Sequence, residues 1–385
     1  MIAVYYFLNK PAGSGDESLF INDINFISEN GWLLAIKKGV SIPFMLLVYP
    51  ISKIVSEVIA LRVVNLFLFL GLVGYFKIHL RIKTVDFYFL LMFFFSSLGY
   101  FLVGTNDTLF IVAMSLFFAE SHFLIQDKSK RSITLWCISL VIAFFTRQMF
   151  VLFIPIVIIV LFLLLKEKKI TFKKLLIPFL VFLGFFALNY PSISSKGKLS
   201  YDSKNPPEGV TATWAQRQYL AQIWVNEGKL RNYNHPTWEQ TDNYLFENGE
   251  GSLPSSVWSS ITFDLKLTLK EFVKDFIYII QYSLRSMGLM VLITIFFGLK
   301  YFSKTFRIKE ETLIPSILLI SVAVFSMVII SFIELRWLAS VFIATILYYQ
   351  LKSERNEIPK LWVLANFGFI TLLCLYGSYG LILKL

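Results

Sequence analysis

The feature that most constrains this chain is a series of apolar runs that approach the ~20 residues needed to cross a bilayer. They lie at about Ala60 to Phe76, Phe87 to Val103, Thr108 to Ile125, Leu175 to Asn189, Phe276 to Phe297, Leu313 to Phe332 and Leu361 to Leu383. The stretch from Ile133 to Leu165 is too long for one helix. Thr146-Arg147-Gln148 interrupts it, so it reads as two helices with Arg147 at the turn. After Glu334-Leu335-Arg336-Trp337 the chain returns through Leu338 to Tyr349. Composition agrees with this pattern. Of 385 residues, 56% are hydrophobic and only 16% are charged, where a soluble protein carries roughly 25%. The expected fold class is all-α: a polytopic membrane protein of about 10–11 transmembrane helices, with interfacial helices and one long outer loop.

The loops between the runs orient the chain. Lys77, Arg81 and Lys83 form one basic loop, and the others lie at 127–131, 166–174, 300–309 and 352–360. If the first is cytoplasmic and each run crosses once, all five fall on the cytoplasmic side, as the positive-inside rule requires. The net charge of +11 is therefore a signal of topology and not of nucleic acid. Membrane lipids are the expected surroundings, and the inner (cytoplasmic) membrane the expected location. Cys137 and Cys374 both fall inside apolar runs, so neither a disulfide framework nor a cysteine metal site is expected. Residues 1–9 are apolar but too short to span; a truncated first helix is the expectation, and no cleavable signal peptide is visible. Residues 10–58 suit short interfacial helices, with Trp32 at headgroup level. The segment 191–275 is long and polar, and an amphipathic helix is expected over 261–275.

The outer side then receives a set of charged turns. Asp16-Glu17 lies in the first loop, Asp107 in the second, Arg147 in the third, and Arg336 near the end. Charged groups close to hydrocarbon usually face a cavity or one another, although turns at a membrane surface are also polar for solvation alone. Arg62 stands near the outer end of its helix, where it either joins this set or snorkels to the interface. His235 is the one histidine on the outer side. The aromatic residues of the long loop, among them Trp214, Trp224 and Trp238, either stack on sugar rings or anchor the loop at headgroups.

On these residues the chain resembles the GT-C superfamily of polyprenyl-phosphate-sugar-dependent glycosyltransferases, above all the branch of protein O-mannosyltransferases and aminoarabinose transferases. The resemblance is carried by Asp16-Glu17, then Gly31-Trp32, Pro43 and Tyr49-Pro50, then Ala60-Leu61-Arg62 with Asn65, and by Asp107. Leu61-Arg62-Val63-Val64-Asn65 and Thr146-Arg147-Gln148 are also similar to dolichyl-phosphate-glucose-dependent enzymes. It covers roughly residues 10–190. It implies a GT-C-like module over 1–190 with its first outer loop at 10–58, an outer (periplasmic) region over 191–275, and C-terminal membrane helices over 276–385.

The implied activity is inverting or retaining transfer of a sugar from a polyprenyl-phosphate donor to a lipid, glycan or protein acceptor at the outer face. A phosphate leaves as a stable anion, so one carboxylate base on the acceptor hydroxyl can suffice, unlike the two of hydrolytic glycosidases. Asp16 is the expected base, with Glu17 and Asp107 as supporting catalytic carboxylates. Arg147, Arg336 and Arg62 are the expected partners of the donor phosphate, because the guanidinium fork pairs two oxygens. A divalent ion (Mg, Mn or Zn) held by Asp16, Asp107 and His235 is the possible cofactor. Two other classes compete: a surface-polysaccharide polymerase or ligase, which does not call for the early Asp-Glu pair, and a flippase, which calls for internal repeats that the sequence does not display.

Overall fold

The computed structural model describes residues 11, 13, 15–99, 101, 103–126, 133–170, 172–201, 209–305 and 308–383. The apolar piece at 1–9, the basic loop at 127–131, the Pro206-Pro207 step and Arg307 lie outside them. Among the described residues the regular elements are all helices. The chain forms two compact units. The first comprises 1–202, 283–319 and 336–385; the second comprises 203–282 and 320–335. Apolar stretches from both sides of the long polar segment contribute to the first unit.

The first unit opens with α1 (Glu17–Lys38), α2 (Ile42–Ser52), α3 (Glu57–Gly74, continued by a π turn at Tyr75–His79) and α4 (Val85–Leu98). It goes on through α5 (Asp107–Ile125), α6 (Ile133–Thr146), α7 (Ile154–Lys166) and α8 (Leu176–Lys196). The second unit holds α9 (Trp214–Asn226), α10 (Trp238–Asn248), α11 (Val257–Phe263) and most of α12 (Leu265–Met287). The chain ends with α13 (Met290–Thr305), α14 (Glu310–Ser326), α15 (Ala339–Glu354) and α16 (Lys360–Ile382).

Helix α5 is the axis of the first unit. It is apolar on every side, which suits only a helix surrounded by protein or lipid. Here the surroundings are protein: 83% of its most apolar window is buried, against 17% for α8 and 11% for α16. It packs on α3, α6 and α15, and α15 is itself buried from Ala339 to Gln350. Both helices bury small residues, among them Ala113 and Ala119 on α5 and Ala344 on α15, and small residues permit the close packing that drives helix association where lipid supplies no hydrophobic gain. Helices α8 and α16 instead expose Leu180, Leu183, Leu372 and Leu375. Apolar exposure on that scale is a lipid-facing surface.

Five helices among the described residues are long and apolar enough to cross a membrane: Glu57–His79, Asp107–Ile125, Gln148–Lys166, Leu176–Lys196 and Lys360–Ile382. The broken pair Leu265–Met287 and Met290–Lys304 makes a sixth if taken as one span. This is a multi-pass helical membrane protein. The count is lower than the run lengths imply, for local reasons. Gly99 adopts a left-handed conformation and stops α4 after 14 residues, short of Val103. Arg147 is extended (φ −143°) and ends α6. The expected span at 276–297 is broken at Gly288, which has φ +62°, and a Cβ there would lie 2.7 Å from Asn366 Oδ1. Helix α14 ends at Ser326 and not at Phe332.

The expected interfacial region is two longer helices. Gly31, at φ +79°, lets α1 bend. Phe20, Ile24 and Ile27 before the bend, and Ala35 and Ile36 after it, join Phe44 of α2 and Leu61 of α3 in one core. In the second unit, Thr213 with Gln216, Thr237 with Gln240, and Ser256 with Ser259 form reciprocal capping boxes that start α9, α10 and α11, each satisfying two orphan backbone donors. Tyr219, Leu220, Leu245 and Leu253 form the core beneath them. The amphipathic stretch becomes the start of α12, which exposes Leu265, Leu269 and Val273 and buries Glu271 and Asp275.

Candidate active site

The site forms around the turn that opens α5. Gly104, Thr105 and Asn106 carry the chain from α4 to Asp107, the first residue of α5. Asn65, buried on α3, holds this turn by donating from Nδ2 to the carbonyls of Val103 (2.6 Å) and Thr105 (3.0 Å). Asn106 Nδ2 donates to the Thr146 carbonyl at 3.2 Å, and Ser41 Oγ donates to the same carbonyl at 2.9 Å. The end of α6, the start of α5 and the start of α2 are thereby tied together. Arg147, immediately after Thr146, is brought to Asp107.

Two sets of ion pairs occupy this corner of the first unit. In one, Arg336 donates through Nη1 to Asp107 Oδ2 at 2.9 Å and through Nη2 to Asp16 Oδ2 at 2.7 Å. Arg147 pairs with the other oxygen of Asp107. The result is a continuous row, Asp16, Arg336, Asp107, Arg147. In the other set, Arg62 grips Glu17 with both prongs, Nε to Oε1 and Nη2 to Oε2, each at 2.9 Å. Oε1 also accepts the Gly104 amide at 2.9 Å, and Oε2 the Gly13 amide at 3.0 Å. The six residues Asp16, Glu17, Arg62, Asp107, Arg147 and Arg336 are thus gathered by the fold, from chain positions as far apart as 16 and 336.

The six do not have equal access to solvent. Side-chain exposure is 28% for Asp16, 18% for Arg147 and 15% for Arg62, but only 6% for Arg336, 4% for Asp107 and nil for Glu17. Asp16 is the carboxylate that a second molecule reaches most easily. Glu17 cannot be reached at all. Burial alone would raise its carboxyl, but the Arg62 guanidinium and the amides of Gly104 and Gly13 hold it below the ordinary value. With four donors on two oxygens, Glu17 is an anchor between α1, α3 and the α5 turn. Arg62 serves that anchor with two of its donors.

Adjacent acids divide in this way because neighbouring helical positions point about 100° apart. Glu17, the first residue of α1, turns into the protein, while Asp16 faces the open side. Gly104 makes the close approach possible. A Cβ on it would lie 2.8 Å from Glu17 Oε1 and closer still to Leu61 Cβ. Asn65 and Gly104 both escape a search for charged groups; Asn65 is signalled only by its place three residues after Arg62, and Gly104 only as the glycine opening the acidic turn.

The two acids expected to hold a divalent ion are paired with arginines in this structure. Both oxygens of Asp107 and one of Asp16 face guanidinium groups. His235 belongs to the second unit, where its Nδ1 lies 3.3 Å from Ser331 Oγ. Among the described residues no group of three or more His, Cys, Asp or Glu side chains is placed to hold a metal. What the corner does offer is a reachable carboxylate beside two arginines, in a region shielded from water. No protein-family model, curated protein or solved structure matches this chain. The chemistry of the corner is therefore the argument for what the protein does.

Proposed function

We propose that the protein is a membrane glycosyltransferase of the GT-C type. It moves a sugar from a polyprenyl-phosphate donor to a hydroxyl of a lipid, glycan or protein acceptor, at the outer face of the cytoplasmic membrane. The observation that carries the proposal is the row Asp16, Arg336, Asp107, Arg147. It sets the reachable acid against two guanidiniums at the end of the helices opposite the basic turns. In this reading the short apolar helices Val85–Leu98 and Ile133–Thr146, with α13, α14 and α15, add thinner crossings that bring the total toward about ten, while Ile42–Ser52 stays at the outer interface.

The reaction uses these groups as follows. The donor phosphate enters beside Arg147 and Arg336 and competes with the carboxylates for their N–H groups. Arginine suits this exchange because phosphate and carboxylate fit the same fork. Released from Arg336, Asp16 accepts the proton of the acceptor hydroxyl as its oxygen bonds to the anomeric carbon. The bond from that carbon to the phosphate oxygen breaks, and the electron pair leaves with the polyprenyl phosphate. The guanidiniums balance the charge that develops there. These steps are carried by the side chains alone.

Asp16→Asn is the decisive variant. It keeps the side-chain shape and removes the base. We expect transfer from polyprenyl-phosphate glucose, mannose or aminoarabinose to membrane acceptors to fall by about 10²–10⁴-fold, with protein levels unchanged. Activity near that of the parent would end the assignment of Asp16. Insensitivity to EDTA is expected alongside.

A further inference from the structure

We infer that the second unit carries a binding site for a neutral saccharide, built from Asp275 and the rings of Tyr233, Tyr278 and Phe332. The inference rests on that unit alone and not on the transfer reaction.

Helix α12 carries Glu271, Asp275, Tyr278 and Tyr282 at intervals of three and four residues, which places them along one face. The Tyr278 and Tyr282 rings pack 4.2 Å apart, and Tyr278 meets Phe332 edge-on at 5.5 Å. Tyr233, in the loop after α9, lies 4.0 Å from Phe332 between ring centres. Tyr233 is 58% exposed, and Tyr278, Tyr282 and Phe332 are half-buried, so none of these rings is sealed in the core.

Asp275 is the contrasting element. It is 7% exposed, stands three residues before Tyr278 on the same helix face, and its Oδ2 is buried with no hydrogen-bond partner among the described residues. A buried acceptor of this kind costs free energy unless something donates to it. Glu271 differs: Asn226 and Lys274 donate to its two oxygens, at 2.9 and 2.8 Å.

Tyr233 also pays a conformational cost. Its φ is +76°, a region in which a bulky side chain is a genuine outlier. The loop is held there from several sides. Leu230 N donates to the Trp224 carbonyl at 3.1 Å, Arg217 Nε donates to the Pro236 carbonyl at 2.7 Å, and His235 meets Ser331. Strain that surroundings enforce in this way gathers at ligand clamps.

Partly exposed rings with an unsatisfied carboxylate oxygen beside them match a pyranose. Its C–H face lies against aromatic carbon, and its hydroxyls donate to the carboxylate. Burial pushes the Asp275 carboxyl up to about 7, so above that pH its negative charge selects against sugars that carry a carboxylate of their own.

The test uses the full-length protein in nanodiscs, at a pH about one to two units above 7 so that Asp275 is ionised, and saturation-transfer NMR with maltose, cellobiose, lactose, mannobiose and a glucuronate-containing disaccharide. At least one neutral disaccharide is expected to bind, with the strongest transfer to protons of one ring face, and the acidic one is expected not to. Tyr233→Ala and Asp275→Asn should each weaken binding about tenfold or more, while Tyr233→Phe and Trp258→Ala retain it. Asp16→Asn should bind the disaccharide as the parent does, which separates this site from the transfer reaction. Absence of binding across the neutral set, equal binding of the acidic sugar, or full binding by correctly folded Tyr233→Ala and Asp275→Asn would each overturn the inference.

Discussion

Replacing Gly104 by alanine tests whether the α5 turn sets the geometry of the charged row. The added Cβ would sit 2.8 Å from Glu17 Oε1, and ordinary contact begins at 3.4 Å. The turn or Glu17 must therefore yield by about 0.6 Å, and by more at Leu61, whose Cβ lies nearer and belongs to a buried helix. Backbone and core side chains do not absorb such a shift freely; overpacking costs about 1–3 kcal/mol. The Gly104 amide also lengthens its bond to a carboxylate, and bonds to charged groups contribute about 1.5–3 kcal/mol. Asp107 lies three residues on and moves with the turn. A misplacement of about 1 Å at a reacting centre costs on the order of 10²-fold in rate. We expect Gly104→Ala to lower sugar transfer by at least about tenfold, and to lower the unfolding temperature of the solubilised protein. Gly71→Ala is the control, since a Cβ at Gly71 meets nothing within 4 Å. If Gly104→Ala transfers sugar at the parental rate, the turn does not set the position of Asp107 and the reasoning fails.

Three further outcomes are expected. Glu17 is held below its ordinary value of 4.5, so its contribution to stability is complete above that pH and is lost as pH falls through the lowered value. Melting curves from neutral to acid pH should show this loss in the parent and a flatter acid limb in Glu17→Gln. Arg62→Met leaves Glu17 as a buried charge without its partner, a loss of about 3–5 kcal/mol. Adding Glu17→Gln should recover part of it, and a double-mutant cycle giving no coupling would show the clamp to be inert. Single cysteines placed at Lys83 and Tyr233 should label from opposite sides of a sealed membrane; labelling from the same side refutes the orientation drawn from the basic loops.

Much of the corner was legible in the sequence because charge is conspicuous against hydrocarbon. Asp16, Glu17, Asp107, Arg147 and Arg336 stand out at the ends of apolar runs, and alternation of the basic loops places them on one side. Their pairing was not legible. Nothing in the dipeptide Asp16-Glu17 says that one acid meets Arg336 and the other Arg62; a helix start decides it. Gly104 and Asn65 carry no charge, so their part appears only when the turn is packed. Hydropathy also overstates helix length. A run such as Phe87–Val103 stays apolar past Gly99, but a left-handed glycine ends the helix while the chain remains buried. The second unit was the least legible, because polar composition gives the same signal for a loose loop and for three capped helices over a small core.

The ion-paired row has a consequence for how a ligand arrives. Three carboxylates face three guanidiniums, so the corner has no formal charge of its own. Such a site exerts little pull on an anion at a distance, because opposite fields cancel beyond a few ångströms, whereas a site of one sign raises encounter rates through its field. A phosphate would be recognised only on contact, by exchange of partners. Capture should then follow lateral diffusion in the bilayer, and its rate should change little with ionic strength.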